Sequence, residues 1–296
     1  MQAHKRRTLD GWSLVVLAVA AVLLALVWLL YNERVRYEYE AAVSAAVKQS
    51  SMLARVLEQH TEKTLRAVQQ TLDRVADEYE RQGNGLDLYR LREQGALDSS
   101  MLQSIGVLDE TGDLVLASAT NRRMDMSDRD YFQALRGDPA RRIAIGRPVK
   151  GRLSHKWIIP IAVPIRKADG GFGGAVIAGV EPAYFIDFYQ VDDFGPRGSV
   201  MLGDLKGYVL ARRAGSVDSF GSDIRGGLLM NALREAPVGD FVGTGQFENT
   251  PRYVSYRTLE AFGVFVSVGL AIEDALAPFY ERRRVQRAIA FATTFF

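Results

Sequence analysis

The chain has 296 residues, of which 37 are basic and 35 acidic, so its formal net charge is only +2. This balance gives no long-range field that would attract nucleic acid, and we do not expect nucleic acid as a partner. The sequence contains no cysteine and only three histidines, which excludes disulfides, thiol catalysis and cysteine-ligated metals. We therefore predict no metal site and no cofactor.

The first predicted element is a transmembrane helix at residues 12–31. The segment from Trp12 to Tyr31 contains no charged residue, and 20 helical residues reach roughly 30 Å, the thickness of a bilayer's hydrocarbon core. The segment is longer than the apolar part of a signal peptide, and no small-residue cleavage pattern ends it, which favours a retained anchor. Lys5, Arg6 and Arg7 precede it and favour a cytoplasmic N-terminus at residues 1–11.

A long stalk helix is predicted at residues 32–82, directly after the span. This segment contains neither proline nor glycine, and it ends before Gly83. Small or apolar residues recur in steps of three and four, at Ala54, Leu57, Thr61, Leu65, Val68, Leu72, Val75 and Tyr79. The stripe could pack on the helix's own domain or on a partner helix, and its spacing fits both.

Strands and turns follow the stalk. A β-hairpin is predicted at 105–108 and 114–117 around a turn at 109–112, then a short helix at 130–136, then two strands at 157–163 and 174–180. Pro160 and Pro164 lack the N–H that a ladder needs, so they predict an irregular or edge position for the first of these two strands.

The same order of elements then repeats. A second hairpin is predicted at 200–202 and 208–211, and a second strand pair at 253–256 and 264–270. Ala117 and Ala211 are 94 residues apart, and the acidic residues that end the two copies, Glu181 and Glu273, are 92 residues apart. Two tandem copies of one α+β unit explain this order better than a single large sheet does.

Residues 281–296 are predicted to form an exit helix and, from Ala288, the start of a truncated second transmembrane helix. The apolar run at 288–296 is too short to span a bilayer by itself. With both ends anchored, residues 32–287 are expected on the periplasmic or extracellular side of a bacterial inner membrane.

Four segments in this order resemble the double Cache sensor domain, a pair of PAS-like folds. They are Asp-Arg-Asp-Tyr-Phe at 128–132, Ile-Gly-Arg-Pro-Val at 145–149, Trp-Ile-Ile-Pro at 157–160 and Gly-Val-Glu-Pro-Ala-Tyr-Phe at 179–185. The resemblance covers residues 33–285 and is closest to the form found outside the membrane in bacterial diguanylate cyclases and some sensor histidine kinases. It implies an α+β fold with two tandem PAS-like antiparallel-sheet units, a membrane-distal one at 83–190 and a membrane-proximal one at 191–280.

The resemblance also implies a ligand pocket in the membrane-distal unit. Carried over to this chain, the ligand-binding residues are Arg129, Tyr131, Phe132, Arg147, Trp157 and Glu181. Arginine can clamp a carboxylate, aromatic rings can close a pocket, and an acid can hold an ammonium group. Amino-acid-binding members resemble Arg-x-Trp-Tyr and end the last strand with Asp, whereas this chain has Tyr131, Phe132 and Glu181, so another small anion fits equally well.

Each of these residues also has a purely structural interpretation. Arg129 can brace the short helix, the three aromatic rings can belong to the core, and Glu181 can interact with a helix N-terminus. Arg147, Lys150 and Arg152 flank the turn at Gly151 and can lie in a solvated basic loop.

No phosphate-binding loop, zinc-protease motif, nucleophile elbow or diguanylate cyclase signature occurs in the sequence. We therefore predict no catalytic residue in this chain. The predicted function is that of the ligand-sensing input module of a bacterial membrane signalling protein. The protein class that we expect is a diguanylate cyclase, with its catalytic domain beyond residue 296. The alternatives are the input of a sensor histidine kinase or chemoreceptor, or a ligand-free dimerisation module. The expected partners are a small molecule, with anions as one class, the membrane and a second copy of the chain.

Overall fold

The computed structural model describes residues 11–93, 101–118, 123–151, 156–187 and 191–295. The cytoplasmic segment predicted at 1–11 lies outside these residues except for Gly11, and Arg152 also lies outside them. The chain divides into two compact units, one formed by Val47–Asp274 and the other by the two ends of the chain, with described residues 11–46 and 275–295.

The predicted span and stalk form one continuous helix, α1 (Gly11–Gln82). It ends where predicted, because Gly83 takes a left-handed conformation with φ of +58° and opens a 3-10 turn, Gly83–Gly85. Among the described residues α1 is the one helix long and apolar enough to cross a membrane, and its large apolar side chains near the N-terminus are exposed. The final helix, α7 (Ile272–Phe295), is not identified as a span by the same measure, so the second span stays a prediction.

The first sheet, here called the distal sheet, is antiparallel. Its strands are β1 (Leu102–Asp109), β2 (Leu114–Ala117), β3 (Ala144–Ile145), β4 (Val149–Lys150), β5 (Trp157–Arg166) and β6 (Phe172–Val180). Their order is β2-β1-β6-β5-β3, with β4 also paired to β5. The helices in this part of the chain are α2 (Leu88–Glu93), α3 (Asp130–Gly137) and α4 (Ala183–Ile186), of which α2 and α3 pack on this sheet. The predicted hairpin, short helix and strand pair are confirmed.

Strand β5 is an interior strand in spite of its two prolines. It pairs with β6 on one side and with β3 and β4 on the other, so the edge alternative is wrong. The irregular alternative is confirmed, because the neighbouring strand is interrupted at 146–148, opposite Pro160. There the Gly146 N–H donates to the Pro160 carbonyl oxygen at 2.8 Å.

The second sheet, here called the proximal sheet, repeats this plan. Its strands are β7 (Ser199–Asp204), β8 (Val209–Ala214), β9 (Val217–Ser219), β10 (Val238–Thr244), β11 (Pro251–Leu259) and β12 (Val264–Ala271). The order is β10-β11-β12-β7-β8-β9, and the helices before its first and fourth strands are α5 (Val191–Phe194) and α6 (Leu228–Glu235). In both sheets the first strand lies between the second and the last, which confirms two tandem PAS-like units.

The apolar stripe of α1 packs on the chain's own domain. Leu57 and Leu65 are buried in one core cluster with Val176 of β6 and Val266 of β12, so one helix supports a face of both sheets. Of the two alternatives for the stripe, packing within the domain is therefore confirmed. The opposite face of each sheet carries a smaller core of its own, under α3 in the distal sheet and under α6 in the proximal sheet.

Candidate functional site

A cavity of about 430 Å³ lies on the α3 face of the distal sheet. Strand residues form its apolar floor, among them Ile105 and Leu114 from the hairpin and Ile158 and Ile177 from the strand pair. The segment that leads into α3 and the β3–β4 connection supply the polar residues. The size and the mixture of an apolar floor with a few polar groups are typical of small-molecule sites.

The first turn of α3 is tied to the β3–β4 connection by Asp130. One carboxylate oxygen accepts a hydrogen bond from the Tyr131 backbone N–H at 2.8 Å, and the other accepts one from the Arg147 N–H at 3.2 Å. The approach is close because residue 146 is glycine: a Cβ there would lie 2.7 Å from Tyr131 Cδ1 and 2.8 Å from Asp130 Oδ1. The polar wall of the cavity is thus held by a local hydrogen-bond arrangement.

The described lining carries one more positive than negative charge, from Arg129, Arg147 and Lys150 against Asp128 and Asp130. The Arg129 side chain is 28% exposed, and its Nε lies 3.6 Å from Asp128 Oδ1, longer than a hydrogen bond. The guanidinium of Arg147 stacks on the ring of Tyr208 in the proximal unit, 3.6 Å from the ring centroid. Because no carboxylate in the described part of the protein lies within hydrogen-bond distance of the Arg129 Nε, the Arg129 guanidinium can bind the carboxylate of a ligand through two parallel hydrogen bonds.

The structure brings three of the six sequence-predicted ligand residues to this cavity. Arg129, Tyr131 and Arg147 line it, whereas Phe132, Trp157 and Glu181 are not among its described lining residues.

The other three have different surroundings. Phe132 is fully buried in the core under α3, with its ring edge-to-face against Phe172 at 5.4 Å between centroids. The ring of Trp157 lies 5.9 Å from that of Phe220. Glu181 accepts a hydrogen bond from the side-chain nitrogen of Gln103 at 3.1 Å.

Sequence reasoning missed several residues of the cavity. Gln103 and Ser104 of β1, the two methionines at 124 and 126, and Lys150 all line it. Lys150 was expected in a solvated loop, but β4 places it at the cavity. The available signal was the strand alternation around Ser104 and Ile158, which sends every second residue to the α3 face.

Among the described residues no group of three or more acidic or histidine side chains is arranged to hold a metal ion.

A long helix supporting two PAS-like sheets, with a ligand-sized cavity in the first, defines a tandem extracellular-type sensor domain. The comparisons agree. The Cache domain family profile dCache_1 matches residues 38–279, and the chain therefore belongs to the Cache domain family.

Solved structures show the same fold. The extracellular domain of rpHK1S-Z16, described as a histidine kinase, superposes with a TM-score of 0.70 at 26% identity, covering 80% of this chain and 98% of that one. The ligand-binding domain of the Pseudomonas fluorescens chemoreceptor CtaA, in complex with L-alanine, gives 0.56 at 14% identity, covering 76% and 96%. That of the Pseudomonas aeruginosa PAO1 amino acid chemoreceptor PctB, in complex with L-Arg, gives 0.56 at 15% identity, covering 76% and 95%. Comparison with the curated proteins gave no match.

Proposed function

We propose that the chain is the ligand-sensing input module of a bacterial membrane signalling protein. Residues 32–287 lie on the outer side of the inner membrane, and the distal cavity takes a small carboxylate with an apolar body. The observation that carries this proposal is the cavity of about 430 Å³ with an apolar floor and the Arg129 guanidinium in its wall.

The polar groups of the cavity favour a carboxylate over an amino acid. An amino acid also needs an acid for its ammonium group, and Glu181 is not among the described lining residues. Asp130 already accepts two backbone hydrogen bonds, and the Asp128 side chain is 78% exposed. The relatives crystallised with L-alanine and L-Arg make amino acids the alternative ligand class.

Titration calorimetry on the full chain in detergent tests the ligand. The probes are aliphatic and aromatic monocarboxylates, the amides of the same acids, and the corresponding amino acids. We expect a monocarboxylate to bind, its amide to bind at least about tenfold more weakly, and Arg129→Gln to remove that difference, because a charged hydrogen-bond pair is lost.

Arg136→Gln is the matched control, since Arg136 is exposed in the last turn of α3, away from the cavity lining. It should bind the probes as the parent does. Equal binding of acid and amide, or unchanged binding in Arg129→Gln, would contradict the carboxylate proposal, and preferential binding of the amino acids would replace it with that class.

The proposed signal passes from the proximal sheet toward the membrane at the end of β12. Strand β12 ends at Ala271 and α7 begins at Ile272, with no linker between them. The first turn of α7 is held by Arg197, whose backbone N–H and Nε donate to Asp274 at 3.0 and 2.9 Å. A ligand-dependent shift of the proximal sheet would therefore move the start of α7, and a coupling of about 1–3 kcal/mol suffices for signalling.

Two kinds of enzyme are candidates for the output domain of the signalling protein, and a different observation favours each. A diguanylate cyclase beyond residue 296 is what the sequence resemblance favours. A histidine kinase is favoured by the match to rpHK1S-Z16 at 26% identity. In either case we propose that the sensor acts as a homodimer.

A further inference from the structure

A second, smaller cavity of about 70 Å³ lies on the α6 face of the proximal sheet. Its position repeats that of the distal cavity. Ser104 of β1 lies opposite Gly179 of β6, and in the proximal sheet Ser199 of β7 lies opposite Gly269 of β12. In each pair a Cβ on the glycine would touch the serine hydroxyl, at 3.1 Å in the distal pair and 2.9 Å in the proximal pair. The first and last strands of both sheets therefore use the same cross-strand pair beside a cavity.

Two buried arginines line the proximal cavity. The Arg212 and Arg252 side chains are 4% and 5% exposed, and both pair with one carboxylate, that of Glu248. Arg212 Nη2 donates to both Glu248 oxygens at 2.7 and 2.6 Å, and Arg252 Nη1 donates to one of them at 3.1 Å. The cluster consequently holds one positive charge that Glu248 does not compensate.

The hydrogen bonds with Glu248 do not use every donor of these guanidinium groups. Arg252 Nε donates to the Arg197 carbonyl oxygen at 2.8 Å. Arg212 Nε and Nη1 donate to no group that the structure describes, and neither belongs to the fully enclosed polar atoms that lack a partner, so both stay accessible. The other contact of the Arg212 guanidinium is the Phe247 ring, 4.7 Å away at its centroid. Burial lowers the pKa of Arg252, and Glu248 only partly offsets this effect. Accessible guanidinium donors beside an uncompensated positive charge are the groups that bind an anion through charge-assisted hydrogen bonds.

We propose that the proximal cavity binds a small monovalent oxyanion, such as a short carboxylate or nitrate, held by Arg212 and Arg252. One negative charge neutralises the excess charge of the cluster. At roughly 30 Å³ per water, the cavity has room for an anion of only a few non-hydrogen atoms. The hydroxyl groups of Ser199 and Ser267 line the same space and supply further donors. This site is separate from the distal cavity and does not depend on the function proposed for it.

Thermal unfolding and calorimetry of the full chain in detergent test the site. Sodium formate and sodium nitrate are the probes, and sodium gluconate at equal ionic strength is the control, because gluconate is too large for the cavity. We expect a saturable rise in Tm and measurable binding heat with formate or nitrate, and neither with gluconate. An equal effect of all three salts would overturn the proposal.

Variants locate the binding. Arg212→Gln should weaken formate or nitrate binding at least about tenfold. Arg213→Gln is the matched control: the neighbouring residue pairs instead with Asp187 and Asp218 and should leave anion binding unchanged. Arg129→Gln, which disables the distal cavity, should also leave it unchanged, so that the two proposals fail independently.

If Arg212→Gln does not fold, Arg212→Lys serves as the second variant. It keeps the positive charge beside Glu248 but lacks the planar set of donors, so we expect weaker binding with the fold retained. Anion binding that survives undiminished in a folded Arg212 variant would contradict the proposed site.

Discussion

Asp109 and Asp204 occupy the same position in two copies of one turn. Each is followed three residues later by a glycine with a left-handed backbone, Gly112 with φ of +98° and Gly207 with φ of +92°. In the first turn the Asp109 carboxylate accepts the Thr111 hydroxyl at 2.6 Å and three backbone N–H groups. Repetition of the sequence has therefore preserved the turn in detail.

The two carboxyl groups nevertheless titrate in opposite directions. Burial raises the pKa of Asp204, which is 7% exposed, above its ordinary value of 3.8, although the Tyr208 N–H works against this. Burial also raises the pKa of Asp109, but the hydrogen bonds from Thr111 and the turn outweigh it and hold that pKa below 3.8. The difference comes from the environment of the turn and not from its sequence.

Opposite shifts give opposite effects on stability. Asp109 stabilises the folded state above about pH 4, and its contribution is lost as the pH falls through its lowered pKa. The charged form of Asp204 lowers stability at neutral pH, and that cost is relieved as the pH falls through its raised pKa.

Asparagine at each position separates the two effects. We expect Asp109→Asn to lower the free energy of unfolding at pH 7 by about 1–2 kcal/mol, because charged hydrogen bonds are lost. Asp204→Asn keeps the acceptor for the Tyr208 N–H without the buried charge, so it should cost less or stabilise. Urea denaturation at pH 7 and pH 3 measures both, and both differences should shrink at pH 3. An equal loss for the two variants at pH 7 would show that burial does not govern Asp204.

Side-chain direction explains which site residues could be predicted. Tyr131 lines the cavity, but Phe132, about 100° further around α3, enters the core. Ile158 lines the cavity, but Trp157, one residue earlier on β5, is not among the described lining. A motif places a segment near the site, and only the phase of the helix or strand decides which of its residues face the ligand.

At the scale of elements, the β3–β4 connection joins the two PAS-like units. Arg147 lines the distal cavity while its guanidinium stacks on Tyr208, which directly precedes β8 in the proximal sheet. Close by, Trp157 contacts Phe220 across the same boundary. A group that touches the ligand cavity thus also touches the next sheet.

A double-mutant cycle measures this link. Arg147→Ala, Tyr208→Ala and the double variant should give a coupling energy of about 0.5–1 kcal/mol in urea unfolding, because a cation over an aromatic face is worth that much at a partly exposed site. Arg225 also lies over Tyr208 but at 5.3 Å, compared with 3.6 Å for Arg147. Its cycle is the matched control and should give a smaller coupling. Additive effects in the Arg147 cycle would mean that the stacking carries no energy between the units.

Element prediction succeeded where the hydrophobic pattern is long. The helix α1 and the strand pairs of both units have continuous or strictly periodic apolar residues, and all were predicted. The two-residue strands β3 and β4 are too short for any period to show. Strand β10, Val238–Thr244, contains two glycines and an aspartate, and only its full-length pairing with β11 makes it a strand. These three strands form because they pair with neighbouring strands, and the local sequence pattern does not predict them.

At the scale of the whole molecule, the two ends of the chain form a unit of their own. Within it, Trp28 of α1 lies edge-to-face with Phe291 of α7 at 5.4 Å, and Tyr39 with Phe279 at 5.6 Å. Glu38 accepts hydrogen bonds from Arg34 Nε at 2.9 Å and from the Gln286 side chain at 3.2 Å, and these two bonds, that from Arg34 first, lower the pKa of Glu38. The contacts pair α1 with α7, so in the proposed function a displacement of α7 along α1 would carry the signal.

The proposed topology can be tested cleanly because the chain contains no cysteine. Single cysteines are placed at Arg136 in the distal unit, Lys206 in the proximal unit and Ala20 in α1, all exposed positions in the structure. In intact cells a membrane-impermeant thiol reagent should label Arg136→Cys and Lys206→Cys, since both face the periplasm in the proposed topology. It should not label Ala20→Cys, because a thiol within lipid forms little of the reactive thiolate.

The parent chain without cysteine gives the background, and detergent-permeabilised cells give the maximum for each position. Labelling of residues 136 and 206 that appears only after permeabilisation would place the two sheets in the cytoplasm and contradict the proposed sensor topology. Labelling of residue 20 in intact cells would mean that the apolar part of α1 is not held in the bilayer.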